Sequence, residues 1–466
     1  MSKPRTLGEL RESGYTVLPV REEMRKNLIA KLQGGEPLFP GIIGYEETVI
    51  PQVENAILAG QDIIFLGERG QAKTRLARAL VSLLDEEVPI VAGSETNDNP
   101  FAPVSRYARD LVAELGDETP IEWIRREDRY AEKLATPDTT IADLIGEVDP
   151  IKVAEGRYLS DELTIHYGLI PRTNRGIFAI NELPDLAERI QVGLLNIMEE
   201  RDIQIRGYRV RLPLDVYIVA SANPEDYTNR GRIITPLKDR YGAQIRTHYP
   251  ATIDLEIEIM EQERAPVEVP GIALTVPEYM REIIAEITHL ARRSHDVSQR
   301  SGVSVRMSVA NYETLLSNAV KRAIRLREKH AVPRISDLPA VVTSTIGKIE
   351  LETLGDVQED RVIDKLINGA VLATFNRYFS VRDFDDLILA FENGLAVETS
   401  DMLPAMRYIH QVAHIDSLRA AANRLGAAGQ PELIAATVEF VLEGLHLNRR
   451  LNKDRAGARG TARYRG

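Results

Sequence analysis

Short apolar runs alternate with longer segments of helical periodicity over roughly the first half of the chain. Three of the runs, at 63–66, 177–180 and 216–219, have the length and composition of buried strands. Continuous apolar strands of this kind are typical of a parallel sheet with helices on both faces. The pattern predicts an α/β domain over residues 36–250, preceded by a charged helical lead-in at residues 1–35.

Beyond residue 250 the strand pattern fades and helical spacing dominates. Pro277 starts one predicted helix, and a second follows with apolar positions at Val309, Tyr312, Leu315, Leu316 and Ala319. These helices predict an all-helical lid at 251–350. Apolar residues at helical spacing predict a further helical C-terminal domain at 356–447. The last residues, 448–466, are rich in Arg and Gly, and we expect a disordered tail because they bury little apolar surface.

The segment after the first predicted strand has the composition of a phosphate-binding loop. It reads Gly67, Glu68, Arg69, Gly70, Gln71, Ala72, Lys73 and Thr74, and a helical run follows. Glycines let backbone N–H groups approach a triphosphate, the lysine reaches the β and γ phosphates, and the threonine hydroxyl binds Mg²⁺. The loop therefore predicts ATP and Mg²⁺ as ligands. Ala72 replaces a glycine of the general pattern, and we expect it to fit the first turn of the helix.

This loop resembles the version common in MoxR-type AAA+ ATPases. The segment Phe39-Pro40-Gly41-Ile42-Ile43-Gly44 is similar to the one that leads into the nucleotide domain of magnesium-chelatase ATPase subunits. The stretch from 145–147 to 173–176 resembles the helix-2 insert and the approach to the second ATP motif. The matches span about residues 39–310. The resemblance implies an AAA+ P-loop NTPase domain followed by the helical lid, with ATP hydrolysis in a ring of subunits.

The second ATP motif is predicted at 177–182, where four apolar residues precede Asn181 and Glu182. The usual motif ends in Asp-Glu, of which the Asp holds a water on Mg²⁺ and the Glu activates the attacking water. Glu182 is predicted to be the general base. Asn181 takes the metal-side position, where its amide oxygen can orient a water but adds no negative charge. We expect slower hydrolysis, and we expect Asp185 to lie too far along the loop to replace the missing acid.

The resemblance assigns three further residues. Asn223, after the third apolar run, resembles the sensor-1 residue that contacts the γ-phosphate or the attacking water, although a turn cap is the alternative. Arg240 resembles the arginine finger that enters the ATP site of the neighbouring subunit, and its nearby competitors are Arg230, Arg232 and Arg246. Arg306 resembles the sensor-2 arginine of the lid, although arginines are common at helix starts.

Residues 202–212 alternate in polarity about a Gly-Tyr pair and predict a β-hairpin. By resemblance, this hairpin precedes sensor 1 and points toward the ring pore. Its arginines, Arg206, Arg209 and Arg211, are candidates for contact with an acidic polypeptide or a nucleic-acid backbone. A solvated hairpin face is an equally good interpretation.

Composition and charge narrow the function classes. The 466 residues include no cysteine, which excludes a disulfide framework and a thiolate metal site and fits a reducing compartment. No run of apolar residues is long enough for a membrane span or a signal peptide, so we expect a cytoplasmic protein. The formal charge is −12, although the tail is basic. A net acidic body argues against broad electrostatic capture of nucleic acid.

Together these features predict a ring-forming AAA+ ATPase that remodels a protein partner. The resemblance implies a homo-oligomer, a hexameric ring, and a partner with a von Willebrand factor A domain, without membrane contact. A catalytically weak nucleotide-dependent scaffold is the alternative that Asn181 favours. A nucleic-acid translocase is favoured only by the hairpin arginines, and porphyrin metallation only by the family name. An enhancer-binding transcription activator is disfavoured because its Gly-Ala-Phe-Thr-Gly-Ala loop is absent from the sequence.

Overall fold

The three apolar runs predicted as strands lie in one parallel sheet, which has five strands in the described part of the chain. Numbered in chain order, the strands follow each other across the sheet as β4 (Tyr130–Leu134), β7 (Gly176–Asn181), β8 (Val216–Ala222), β1 (Ile63–Leu66) and β9 (Ala243–Arg246). Successive side chains of a strand point to opposite faces of the sheet. Ile64 and Ile218 therefore enter one hydrophobic cluster, whereas Phe65 and Val219 enter another. Both faces are buried, which confirms the predicted α/β class.

This computed structural model describes residues 3–149, 162–200, 212–223, 231–299, 302–351, 356–412, 414–455 and 461–466. The chain divides into two units, Met1–His248 and Tyr249–Gly466. The predicted pre-sensor hairpin, 202–212, lies outside the described residues except for its last residue.

The helices of the first unit surround the sheet and include the predicted lead-in. They are α1 (Leu7–Glu12), α2 (Val20–Gly34), α3 (Val49–Leu58), α4 (Lys73–Ala79), α5 (Arg106–Leu115), α6 (Ile141–Leu144), α7 (Leu169–Arg172), α8 (Glu188–Glu200) and α9 (Thr235–Arg240). Two antiparallel pairs join β2 (Glu87–Val91) to β3 (Ile121–Arg125) and β5 (Gly146–Val148) to β6 (Ile165–Tyr167). Met24 and Leu28 of α2 share a hydrophobic cluster with Phe65, so the lead-in is part of the core.

The second unit is mainly helical. Its helices are α10 (Ile253–Glu263), α11 (Glu278–Ala291), α12 (Val305–Leu326), α13 (Val342–Thr345), α14 (Asp356–Tyr378), α15 (Asp385–Glu392), α16 (Ala405–Val412), α17 (Asp416–Arg424) and α18 (Pro431–Leu447). A short parallel pair joins β10 (Ala273–Leu274) to β11 (His330–Ala331). One hydrophobic cluster extends from Met260 to Tyr464, and within it Tyr279 stacks on Phe440 with ring centroids 4.2 Å apart. The segments predicted as a lid and as a C-terminal domain therefore share one core.

The structure contradicts the prediction of a disordered tail at 448–466. Strands β13 (Asn452–Arg455) and β14 (Ala462–Arg465) pair with each other, and β14 also pairs with β12 (Val397–Thr399). Ala462 and Tyr464 alternate with exposed arginines, and Tyr464 is only 2% exposed and donates a hydrogen bond to Glu443. Side chains of a strand alternate between its two faces, so every second residue of β14 is buried although the segment as a whole is rich in arginine. The prediction considered only the overall composition and missed this alternation.

A buried ion pair connects α2 to the sheet region of the first unit. The guanidinium of Arg129 donates to both carboxylate oxygens of Glu23, at 2.7 and 2.6 Å, and both side chains are almost fully buried. Arg129 also donates to the carbonyl of Arg175 at 2.8 Å. Burial, and then repulsion from Arg129, lower the pKa of the Arg175 guanidinium to about 10. Glu23 therefore balances positive charge in a region that holds two buried guanidinium groups.

Glu23→Gln is expected to lower the free energy of unfolding by about 3–5 kcal/mol, because it leaves the buried Arg129 without its counter-charge. Glu22→Gln is the matched control. Glu22 and Glu23 both lie in the first turn of α2, but Glu22 pairs with Arg25 at the surface. Exposed pairs contribute about 0–1 kcal/mol. Urea unfolding of both variants measures the difference, and equal midpoints would contradict the role given to Glu23.

Candidate functional site

The predicted phosphate loop connects β1 to α4. Gly67 follows β1, and its N–H donates to the carbonyl of Ala222 at the end of β8, at 3.1 Å. A Cβ at Gly67 would overlap the side chains of Thr247 and Gln71, and Gly70 has a φ of 77°. Both glycines are therefore required by the local geometry, since only glycine meets these two demands without a steric cost.

The backbone of Ala72 differs from the prediction, which placed this residue in the first turn of the helix. It lies in the left-handed region with φ 54° and ψ 16°, as the N-cap residue, and α4 begins at Lys73. Ala72 is therefore not in the first helical turn. The left-handed conformation costs a non-glycine residue about 1–2 kcal/mol of conformational energy. It is therefore kept only where contacts with neighbouring residues fix the backbone. The hydroxyl of the buried Tyr45 donates to the carbonyl of Gln71 at 3.0 Å and supports the turn.

The ammonium group of Lys73 lies inside the loop. Lys73 is 7% exposed and donates to the carbonyl oxygens of Gly67 and Glu68, at 2.8 Å to the latter. Beside it, the Thr247 hydroxyl donates to the Gln71 side chain at 2.7 Å. The loop thus places one positive charge next to the first N–H groups of a helix, an arrangement that favours an anion.

Thr74, Asn181 and Ser221 meet at the carboxyl ends of β7 and β8. The Thr74 and Ser221 hydroxyls both donate to the side-chain oxygen of Asn181, each at 3.3 Å. Mg²⁺ prefers oxygen ligands and often binds through one or two protein groups together with substrate phosphates. The oxygens of Thr74 and Asn181 fit such a metal. Among the described residues, no cluster of three or more His, Cys, Asp or Glu side chains offers a self-contained metal site.

Glu182 follows Asn181 in a strained backbone conformation. It has φ 56° and ψ 49°, and its N–H donates to the Ser221 hydroxyl at 3.3 Å. The 3-10 turn Leu183–Asp185 comes next, with the Asp185 N–H bonded to the Glu182 carbonyl at 3.0 Å. Left-handed residues other than glycine concentrate at functional sites. Glu182 directly follows Asn181 and is half-buried.

Asn223 directly follows β8 and is half-buried. Strand β8 lies between β1 and β7, so Asn223 emerges between the phosphate loop and the second motif. The carboxyl ends of neighbouring parallel strands form the usual ligand-binding edge of an open α/β sheet. The sheet order therefore brings the loop, the second motif and Asn223 to the same edge.

The predicted arginines that the structure describes are all exposed. Arg240 is the last residue of α9, and its exposed guanidinium pairs with Glu199 of α8. Of its competitors, Arg232 is exposed and pairs with Glu188 at 3.6 Å, Arg246 is exposed at the end of β9, and Arg230 lies outside the described residues. The hairpin residues Arg206, Arg209 and Arg211 are also outside them. Arg306 is exposed in the first turn of α12, and its N–H donates to Ser304 at 3.1 Å.

Sequence reasoning did not single out Ser221 and Thr247. Ser221 is 3% exposed within an otherwise apolar strand. A buried hydroxyl in such a strand signals that a hydrogen-bond partner exists, because buried polar groups are almost always paired. The identity of the partner depends on the neighbouring strand. Thr247 contacts Gln71, which is 176 positions away, and no local pattern announces that contact.

Comparison with known proteins supports the nucleotide-domain resemblance. Residues 155–237, a minority of the chain, match the sequence model of the Sigma-54 interaction domain. The magnesium-chelatase subunit ChlI of Nostoc sp. is 29% identical over 232 residues, which cover 48% of this chain and 58% of that protein. The magnesium-chelatase 38 kDa subunit of Rhodobacter capsulatus is 25% identical over 241 residues, with coverage of 48% and 61%. The chain thus spans less than two thirds of the length of these relatives.

Among solved structures, a chain from the complex of magnesium-chelatase subunits BchI and BchD covers 71% of this chain at 19% identity, with 98% of its own length matched and a TM-score of 0.36. Within the described residues, no helix is both long and apolar enough to cross a membrane. Together, the sequence matches support an AAA+ ATPase of the magnesium-chelatase-like type.

Proposed function

We propose that this protein binds ATP with Mg²⁺ at the edge formed by β1, β7 and β8, and that it hydrolyses ATP to remodel a protein partner, as MoxR-type ATPases do. The observation that carries the proposal is the joining of the two ATP motifs by the hydrogen bond from Thr74 to Asn181. Lys73 lies on the loop that precedes Thr74 and supplies the positive charge.

In this function the loop from Gly67 to Ala72 surrounds the phosphates with backbone N–H groups. Lys73 exchanges its carbonyl partners for the β and γ phosphates. When bound, Mg²⁺ neutralises charge on the phosphate oxygens, and Thr74 and Asn181 are the residues that would hold it. Glu182 accepts a proton from the attacking water, and Asn223 orients that water. General-base catalysis of this kind contributes about 10²–10⁴ in rate.

Arg240 completes the proposed site from a neighbouring subunit. Its guanidinium is exposed on α9, where Glu199 is its partner within the same chain. In the absence of a neighbouring subunit, the ion pair with Glu199 fixes the Arg240 side chain. We expect this pair to break when Arg240 contacts the γ-phosphate of ATP bound to the neighbouring subunit. This arrangement requires a homo-oligomer, which we propose to be a hexameric ring, and we propose Arg306 as the sensor-2 arginine. A protein with a von Willebrand factor A domain is the proposed partner.

A weak or silent nucleotide-dependent scaffold is the second candidate, and Asn181 is the observation that favours it. Asn181→Asp separates the two because it adds a negative charge beside Thr74 with almost no change in side-chain size. If the missing carboxylate limits hydrolysis, we expect turnover to rise by about 10-fold, with little change in ATP affinity. Single-turnover hydrolysis and nucleotide release, measured in the same oligomeric state, test this.

Asn55→Asp is the matched control, because it adds the same charge on the exposed side of α3. We expect its turnover to equal that of the parent. If the parent and Asn181→Asp both bind ATP and neither hydrolyses it, the scaffold becomes the better description. A fast parent that Asn181→Asp does not accelerate would show that the amide already orients the metal-bound water, and the scaffold would lose its main support.

A further inference from the structure

We propose that Ser221 is a positioning residue that holds the side chain of Asn181 with its oxygen toward Thr74, and that this allows an amide to serve where the motif usually has a carboxylate. The inference rests on the proposed function and assigns a role to a residue outside both ATP motifs. It starts from the two hydrogen bonds of the Ser221 hydroxyl, to Asn181 and to the N–H of Glu182.

The strand register brings Ser221 next to Asn181. Ala220 of β8 is paired with Ile180 of β7, so Ser221 and Asn181 are the next positions along two neighbouring parallel strands. Strands in a sheet lie about 4.8 Å apart, a distance that short polar side chains bridge. Ser221 is almost fully buried, so its hydroxyl satisfies its hydrogen bonds within the protein.

The hydrogen bonds around Asn181 favour one orientation of its amide. A serine hydroxyl has one hydrogen to donate and two lone pairs to accept with. The Ser221 oxygen accepts from the Glu182 N–H, and its hydrogen goes to the Asn181 oxygen. Thr74 donates its hydrogen to the same oxygen, which leaves the Thr74 lone pairs available to a cation. If the amide were rotated by 180°, its NH₂ group would donate to the two hydroxyl oxygens, which would occupy a Thr74 lone pair and leave the hydrogen of the buried Ser221 hydroxyl without the Asn181 oxygen as its acceptor.

The orientation matters because an amide is asymmetric. The oxygen end of the amide dipole favours a cation beside Thr74, whereas the NH₂ end disfavours it. A carboxylate has two equivalent oxygens and needs no such control. Ser221 should therefore be important in the natural chain and much less important when Asn181 is replaced by Asp. A role of Ser221 in the fold alone, or through Glu182 alone, predicts the same loss in both backgrounds.

The experiment compares Ser221→Ala in the parent chain and in Asn181→Asp. The probe is Mn²⁺, measured by electron paramagnetic resonance in the presence of a non-hydrolysable ATP analogue, so the readout does not depend on turnover. We expect Ser221→Ala to weaken Mn²⁺ binding by about 10-fold in the parent, because losing a residue that orients a metal ligand typically costs about 10- to 100-fold in metal affinity. In the Asn181→Asp chain we expect a loss of less than about 2-fold. Ser221→Thr keeps the hydroxyl and should restore the parent value.

Ser82→Ala is the matched control, because the Ser82 hydroxyl bonds only to the Ala79 carbonyl among its described contacts, at 2.8 Å. If Ser221→Ala does not fold, Ser221→Cys keeps a similar volume with a far weaker hydrogen bond and provides the same comparison. Equal losses in the two backgrounds, or no loss in the parent, would overturn the inference while leaving the proposed function intact. A folded parent chain that binds neither Mn²⁺ nor nucleotide would overturn both the inference and the proposed function.

Discussion

Lys73→Ala is expected to raise the dissociation constant for ATP by at least about 100-fold and to leave the protein folded. Lys73 is buried in the loop on the carbonyls of Gly67 and Glu68, so its ammonium is already positioned where phosphates would lie. Hydrogen bonds to charged groups contribute about 1.5–3 kcal/mol each, and two such bonds to phosphate correspond to at least about 100-fold in affinity. Isothermal titration calorimetry with ATP and Mg²⁺ measures the loss.

Lys31→Ala provides the control for this variant. Lys31 lies near the end of α2 and pairs with Glu36 at 3.3 Å, so its removal takes away one positive charge without touching the loop. We expect its ATP affinity to match that of the parent, and circular dichroism establishes that both variants are folded. An unchanged affinity in folded Lys73→Ala would remove the phosphate-loop assignment and the proposed function with it.

Arg240→Ala and Glu182→Gln are each expected to bind ATP, and hydrolysis is expected to fall by about 10³–10⁵-fold in Arg240→Ala and by about 10²–10⁴-fold in Glu182→Gln. Glu182→Gln removes the proposed base from a subunit's own site, whereas Arg240→Ala removes the guanidinium offered to the next subunit. The two defects lie on different sides of a subunit junction. Mixed oligomers contain junctions in which an intact Glu182 meets an intact Arg240, so mixing should restore part of the activity.

Steady-state hydrolysis of the separate and mixed variants measures this recovery, with mass spectrometry to establish that mixed oligomers have formed. Arg232→Ala is the comparison, because Arg232 is also an exposed arginine of the same unit and pairs with Glu188. We expect it to hydrolyse ATP like the parent. No recovery in mixed oligomers would argue against a site shared between subunits, and loss of activity in Arg232→Ala alone would move the finger assignment there.

The sequence by itself determined the features that depend on local order. Strands β1, β7 and β8 were predictable because runs of apolar residues bounded by polar ones have few other ways to be buried. The loop from Gly67 to Thr74 was predictable because its glycines, lysine and threonine are contiguous between an apolar run and a helical run. The distant Thr247, which a Cβ at Gly67 would meet first, was not. The position of Asn181 and Glu182 at the end of a buried strand was predictable, since both residues directly follow an apolar run.

Tertiary structure decided what depends on distant residues. Strand β14 is ordered because Tyr464 reaches Glu443 and β12, although the surrounding composition is that of a solvated tail. Ala72 adopts a left-handed backbone that helix propensity did not anticipate. The partner of Ser221 follows from the register of β7 against β8, and that of Arg240 from the packing of α9 against α8. Periodicity shows that a position is buried or exposed, but pairing depends on which elements the folded chain brings together.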